Sequence, residues 1–191
     1  MATIQETLKS ALEHHQAGRL QEAEALYRQI LQVQPNHPDT LHLLGVLAHQ
    51  VGKHQVAVDY ITRAIALNPA AAEYHSSVGE AYRALARLNE AEASYKQALA
   101  LKPAYAEVCN NLGIVLQEQG KLQEAEVYYK KAVAISLSYA DAYNNLGVAL
   151  KKQGKLKEAV AQYRQALALQ PTSAQACNNL GNALKDLGKL D

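Results

Sequence analysis

Tryptophan and phenylalanine are absent from the 191 residues, which leaves the aromatic filling of any core to 11 tyrosines. Cysteine occurs twice, too rarely for a disulfide-stapled scaffold. Neither sign of charge prevails. Lys and Arg number 19 against 18 Asp and Glu, a formal net charge of +1, so no global field draws nucleic acid or an anionic membrane. Long apolar runs are missing too: no stretch reaches the roughly 18 residues of a membrane span. The opening MATIQETLKSALEHH has no basic segment leading into an apolar one, as a signal peptide would. These absences point to a soluble, cytoplasmic chain with neither nucleic acid nor membrane among its partners. The 49% hydrophobic content suits a folded protein rather than a disordered one.

What the sequence does contain is a period. Gly45, Gly79, Gly113, Gly147 and Gly181 follow one another at 34 residues, with Ala11 one step earlier. Placing that residue eighth in its unit gives repeats at 4–37, 38–71, 72–105, 106–139 and 140–173 and a partial repeat at 174–191. Ala23, Ala57, Ala91, Ala125 and Ala159 hold one place in register, and Tyr27, Ile61, Tyr95, Tyr129 and Tyr163 another. Small residues let two helices approach closely, and the tyrosines are expected to fill the space between repeats. Gly18, Gly52, Gly120, Gly154 and Gly188 punctuate each unit, Ala86 taking that place in the third. Pro35, Pro69, Pro103 and Pro171 close it. Between the breaks the apolar spacing is helical, as in Leu156, Ala159, Val160, Tyr163, Ala166 and Leu167. Each unit therefore reads as a helical hairpin that cannot bury its own apolar face, and stacking supplies the core. In such an array Cys109 and Cys177, two repeats apart, lie beyond disulfide reach. Two free, buried, reduced thiols are expected.

This lattice resembles the tetratricopeptide repeat family over essentially residues 4 to 188. The resemblance implies an all-α fold, a right-handed superhelix of five hairpins and one further helix, forming a single solenoid. The departures are local. The bulky aromatic of the first helix is replaced by Leu41, His75, Cys109 and Cys177, with Tyr143 as the exception. Leu137 stands where the fourth repeat would carry proline, which leaves that helix free to run on or to change the local pitch.

The first helix of each unit has a side opposite its packing face, and asparagine recurs there as Asn111, Asn145 and Asn179. The resemblance implies that these helices line a concave surface. An asparagine amide offers two donors and a carbonyl acceptor, so a column of them can hold the backbone of an extended peptide without reading its sequence. The Asn-Leu-Gly context is similar to the repeat region of O-linked N-acetylglucosamine transferases. The candidate peptide-binding set is Asn111, Asn145 and Asn179, flanked by Asn110, Asn144, Asn178 and Asn182, with Val148, Lys151 and Lys185 on the same side. Bonding of asparagine to neighbouring helices is the structural alternative. The row His15, His49, Arg83, Gln117, Lys151, Lys185 and the opposing row Gln5, Asp39, Glu73, Glu107, Asp141, Gln175 would give a basic and an acidic edge, although the helix macrodipole favours the same arrangement.

No nucleophile elbow, Walker loop, dinucleotide fingerprint, HExxH or paired-cysteine zinc motif occurs, and the repeats leave no residues for a catalytic domain. No catalytic residue, cofactor or metal is expected. His15, His42 and His49 share the inner face without a carboxylate or cysteine at ligand spacing. The function expected is a non-catalytic scaffold binding an extended segment of a partner. Two alternatives stand beside it. The chain stops at Lys-Leu-Asp, where another helix should begin, so it could be the substrate-recruiting arm of a larger glycosyltransferase. Uncovered apolar faces, Ile4, Leu8 and Leu12 at one end and Cys177, Leu180, Leu184 and Leu187 at the other, could drive end-to-end self-association.

Overall fold

The computed structural model of the protein describes residues 3–188. The closing Lys189, Leu190 and Asp191 of the partial repeat lie outside the described residues. Within them the chain forms eleven α-helices and no strand. They fall into two units, Met1–Leu101 and Lys102–Asp191. The first holds α1 (Ile4–Gln16), α2 (Leu20–Val33), α3 (Pro38–Gln50), α4 (His54–Leu67), α5 (Ala72–Ala84) and α6 (Leu88–Leu101). The second holds α7 (Ala106–Glu118), α8 (Leu122–Ile135), α9 (Ala140–Lys152), α10 (Leu156–Leu169) and α11 (Ala174–Asp186).

Local chemistry sets the ends of these helices. Thr3 caps α1 through a reciprocal box: its hydroxyl accepts from the Glu6 N–H at 3.2 Å, and Glu6 accepts from the Thr3 N–H at 2.8 Å. Pro38 opens α3 at its first turn, where its missing N–H costs nothing. Each hairpin turns on a left-handed residue, as at Gly120 with φ 79° and Gly154 with φ 77°. In the third hairpin Ala86 adopts the same conformation, with φ 57°. The helix preceding Leu137 does not run on. It ends at Ile135, as long as the other second helices at 14 residues. The extended backbone at Ser136 stops it, and Leu137 projects outward, 74% exposed.

Packing within a hairpin rests on one contact repeated. Tyr95, Tyr129 and Tyr163 are fully buried, and each lies against the eighth-place glycine of its own hairpin. A Cβ built on Gly79, Gly113 or Gly147 would fall 2.7, 2.6 or 2.5 Å from the facing tyrosine Cε1. These tyrosines thus fill the cleft inside each hairpin, while in the first unit the same column also packs between repeats as expected, Tyr27 clustering with Leu44 and Leu47 and Ile61 with Tyr74 and Val78. Burial holds the Tyr163 hydroxyl at a pKa of about 12. Neighbouring hairpins then join: α4 packs on α5, α8 on α9 and α10 on α11. Fully buried side chains such as Leu112, Leu116, Leu146 and Leu150 fill the interior, each worth about 1.5–3 kcal/mol. Cys109 is buried as expected, but Cys177 is exposed on α11, so only one of the two free thiols is protected.

One polar knot ties α8 to the α9–α10 turn. The buried Glu126 accepts from Lys130 at 2.7 Å, from Lys155 at 2.7 Å and from Gln153 at 3.0 Å. These bonds to Lys130 and Lys155 lower its carboxyl pKa to about 2.

Candidate functional site

In the second unit the first helices stand side by side, α9 touching both α7 and α11. Their asparagines form a ladder with a register one residue longer than the repeat. Asn145 on α9 donates through Nδ2 to Oδ1 of Asn110 on α7 at 3.0 Å. Asn179 on α11 donates to Oδ1 of Asn144 on α9 at 2.9 Å. The two members of each Asn-Asn pair therefore do different work. Asn110 and Asn144, only 4% and 5% exposed, are consumed between helices, whereas Asn145 and Asn179 are half-buried. After one amide bond each of the latter keeps a carbonyl oxygen and a second N–H. Asn110 also hydrogen-bonds to Tyr139, which tempers the upward pKa shift that burial, Glu107 and Asp141 impose on that phenol.

The remaining candidates distribute as follows. Asn111 is half-buried on α7, and Asn178 and Asn182 are exposed on α11. Val148 is half-buried on α9. Lys151 is held by Asp186 of α11 at 2.9 Å, while Lys185 is exposed. The surface thus combines fixed amides with one apolar residue and two ammonium groups.

The first unit repeats the register with other residues. His42 on α3 meets the Ser77 hydroxyl on α5 at 2.9 Å. The Tyr74 hydroxyl of α5 donates to Asp39 of α3 in a short hydrogen bond. The His42 ring stacks on Tyr74 with centroids 4.5 Å apart and planes at 28°. Burial outweighs the attraction of Asp39 and Glu73 and lowers the His42 pKa to about 4, so the ring is neutral at pH 7. Beside this stack lies an open surface cleft of about 410 Å³, its lining including Leu8, Leu12, Leu43, Asp39, His42 and Tyr74. Attention to asparagine misses this cleft. Its signal is present in the sequence as the 35-residue offsets 39/74 and 42/77, which match those of the ladder, 110/145 and 144/179.

The other histidines are engaged locally. His15 bonds the Tyr27 hydroxyl at 3.1 Å and Gln50 at 3.0 Å, and His49 faces His54 at 3.1 Å. Among the described residues no three His, Cys, Asp or Glu side chains gather as metal ligands would, and no helix is long and apolar enough to cross a membrane.

Residues 2–191 match the family described as the cilia and flagella-associated protein 70 C-terminal domain, a tetratricopeptide-type family. No curated protein matches the chain. Among solved structures it is similar to MamA, at 25% identity over 86% of this chain and 96% of that one, with a TM-score of 0.78. It is likewise similar to a thermophilic TPR protein of Thermus thermophilus, at 25% identity over 96% and 100% of the two chains, TM-score 0.74. YrrB, described as a TPR protein with an unusual peptide-binding site, shares the fold at 19% identity over 90% and 89%, TM-score 0.75. These matches carry the repeat family and its all-α architecture; the transferase resemblance rests on the Asn-Leu-Gly context alone.

Proposed function

The chain belongs to the tetratricopeptide-type family of the cilia and flagella-associated protein 70 C-terminal domain, and on that premise we propose that it is a non-catalytic interaction module whose second unit receives an extended segment of a partner protein across α7, α9 and α11. Repeat arrays of this kind serve as binding surfaces, and YrrB shows that a protein of this fold can carry a peptide-binding site. The observation that carries the reading is the ladder. Asn145 and Asn179 are each fixed by one bond to a buried asparagine, at 3.0 and 2.9 Å, and each retains an acceptor and a donor. A side chain already immobilised loses little entropy on binding. An amide's oxygen and N–H match the N–H and C=O of an extended backbone, so the surface grips main chain and tolerates varied side chains. Asn111 extends the same column on α7, and Val148, with the lysines Lys151 and Lys185, lines its edge.

The test uses random heptapeptides displayed on phage and selected on the full chain. The tightest is then measured by fluorescence anisotropy against the native chain and the Asn111→Ala, Asn145→Ala, Asn179→Ala variant at equal helicity. Loss of roughly tenfold or more in affinity supports the ladder, each lost peptide hydrogen bond being worth about 0.5–1.5 kcal/mol. Equal affinity assigns the asparagines to stacking alone.

The alternatives have thinner support. A substrate-recruiting role for a larger glycosyltransferase rests on the resemblance of three motifs. Self-association rests on Leu180, Leu184 and Leu187, all half-buried on or beside α11. The general peptide reading is preferred because it uses the fixed amides, which self-association does not, and asks for no further catalytic domain, which the transferase reading does.

A further inference from the structure

The joint between the first two hairpins lacks the polar lock that closes its counterpart in the second unit. Three repeats on from Glu24, Arg28 and Lys53 stand Glu126, Lys130 and Lys155, the charged groups of the knot described above. Glu24 bonds Arg28 at 2.7 Å, as Glu126 bonds Lys130. Val51, however, occupies the place of Gln153, and Lys53 is exposed. What remains is a slot of about 180 Å³ between α2 and α4. Its floor is Leu44 and Leu47 of the core, and its walls include Val51, Val56 and Tyr60. A single exposed valine is ordinary. Here Val51 and Val56, 44% and 41% exposed, meet at one slot, and the second unit has Gln153, Glu158 and Gln162 in the places of Val51, Val56 and Tyr60. Beyond Tyr60 lies a shallower, open shelf over Leu31 and Pro35, bordered by Arg63. Slot and shelf together carry three cations, Arg28, Lys53 and Arg63, against one acid, Glu24. Glu24 takes Arg28, and among the described residues neither Lys53 nor Arg63 has a bonded partner.

We propose that this groove receives a partner's peptide segment in which a phenylalanine is flanked by acidic residues, its ring in the slot and its carboxylates beside Lys53 and Arg63. A dry aliphatic cavity of about 150 Å³ takes a benzene ring, so the slot has the size for one phenyl group. An aromatic anchor in such a pocket carries most of the affinity of an interface, while charges at the rim govern the choice of partner. A basic segment would meet like charge at Lys53 and Arg63. The site lies in the other unit from the ladder and stands whether or not the ladder carries a peptide.

The experiment titrates the full chain with a fluorescein-labelled heptapeptide, Gly-Asp-Glu-Phe-Glu-Asp-Gly, and with its counterpart carrying alanine for phenylalanine. The phenylalanine peptide is expected to bind at least roughly tenfold more tightly, a difference of about 1.4 kcal/mol. Raising salt from about 50 to 500 mM should weaken both peptides and leave their ratio in place, since salt screens the rim charges and not the slot. Val51→Gln with Val56→Glu installs the residues that the second unit carries at the same places, and should bring the two peptides to parity. Arg63→Gln should weaken both by roughly twofold to fivefold, while Asn145→Ala with Asn179→Ala should leave the preference intact. Three outcomes overturn the assignment: equal binding of both peptides by the native chain, a preference that survives Val51→Gln with Val56→Glu, or no saturable binding of the phenylalanine peptide. Self-association of the native chain that the same double variant abolishes would give the groove to a second copy and overturn it too. The peptide comparison needs no variant, so a misfolded variant leaves the proposal open to refutation.

Discussion

The absence of a single carbon atom decides how closely each hairpin closes. Gly147 admits the Tyr163 ring where a Cβ would stand 2.5 Å from it, yet nothing lies within 4 Å of the same construction at Gly181. Opposite outcomes follow for one chemical change. Gly147→Ala forces the ring to shift and should cost about 1–3 kcal/mol. Gly181→Ala, in open space on α11, should gain up to about 1 kcal/mol from helix propensity. Thermal melts followed at 222 nm check both, and equal shifts of one sign would show that the tyrosine contact does not limit the approach. Ala86 supplies the converse case, an L side chain held at φ 57°. Ala86→Gly should raise stability by a few tenths to about 1 kcal/mol, read as a higher denaturant midpoint. The glycine lattice was legible because its period is exposed in the sequence. What each glycine faces was not, because periodicity places a residue on a helix face without saying which neighbour covers that face.

At the scale of elements, helix boundaries followed from proline and glycine with little loss. The one failure, Leu137, shows why: extended backbone at Ser136 ends α8 without proline. The ladder was half legible. Period alone put Asn111, Asn145 and Asn179 in one column, but the one-residue skew that couples Asn145 and Asn179 to the preceding pair needs the tilt between stacked helices. It moved Asn110 and Asn144 from the flank of a groove into the joint between helices. Acid response also belongs to elements. The His42 pKa is lowered from 6.5 to about 4, so the unfolded chain binds the proton first, and stability present above about pH 6.5 is lost as pH falls towards 4. Glu126 is lowered from 4.5 to about 2; its contribution is present above about pH 4.5 and lost as pH falls towards 2. Hydrogen exchange read by segment at pH 7, 5 and 3 should therefore show α3 and α5 loosening before the α8 and α9–α10 joint. Simultaneous loosening would contradict the assignment. Glu126→Gln should destabilise the chain at pH 7 by about 1–3 kcal/mol, with the gap to the native chain closing below pH 4.5.

For the whole molecule, the sequence disclosed its architecture more readily than its chemistry, since five agreeing copies of one pattern overdetermine a hairpin array while a partner leaves no period. The two units share one device, a hydrogen bond at a 35-residue offset between successive first helices, and differ in what it displays. In the second unit the device fixes amides suited to backbone. In the first it joins His42 to Ser77 and Tyr74 to Asp39. The most direct measurement is a crystal structure of the full chain with the heptapeptide selected by display. Peptide N–H and C=O groups are expected within about 3.2 Å of the Asn145 and Asn179 amides, on the side formed by α7, α9 and α11. A peptide seated only against the second helices, α8 and α10, with those amides untouched, would contradict it.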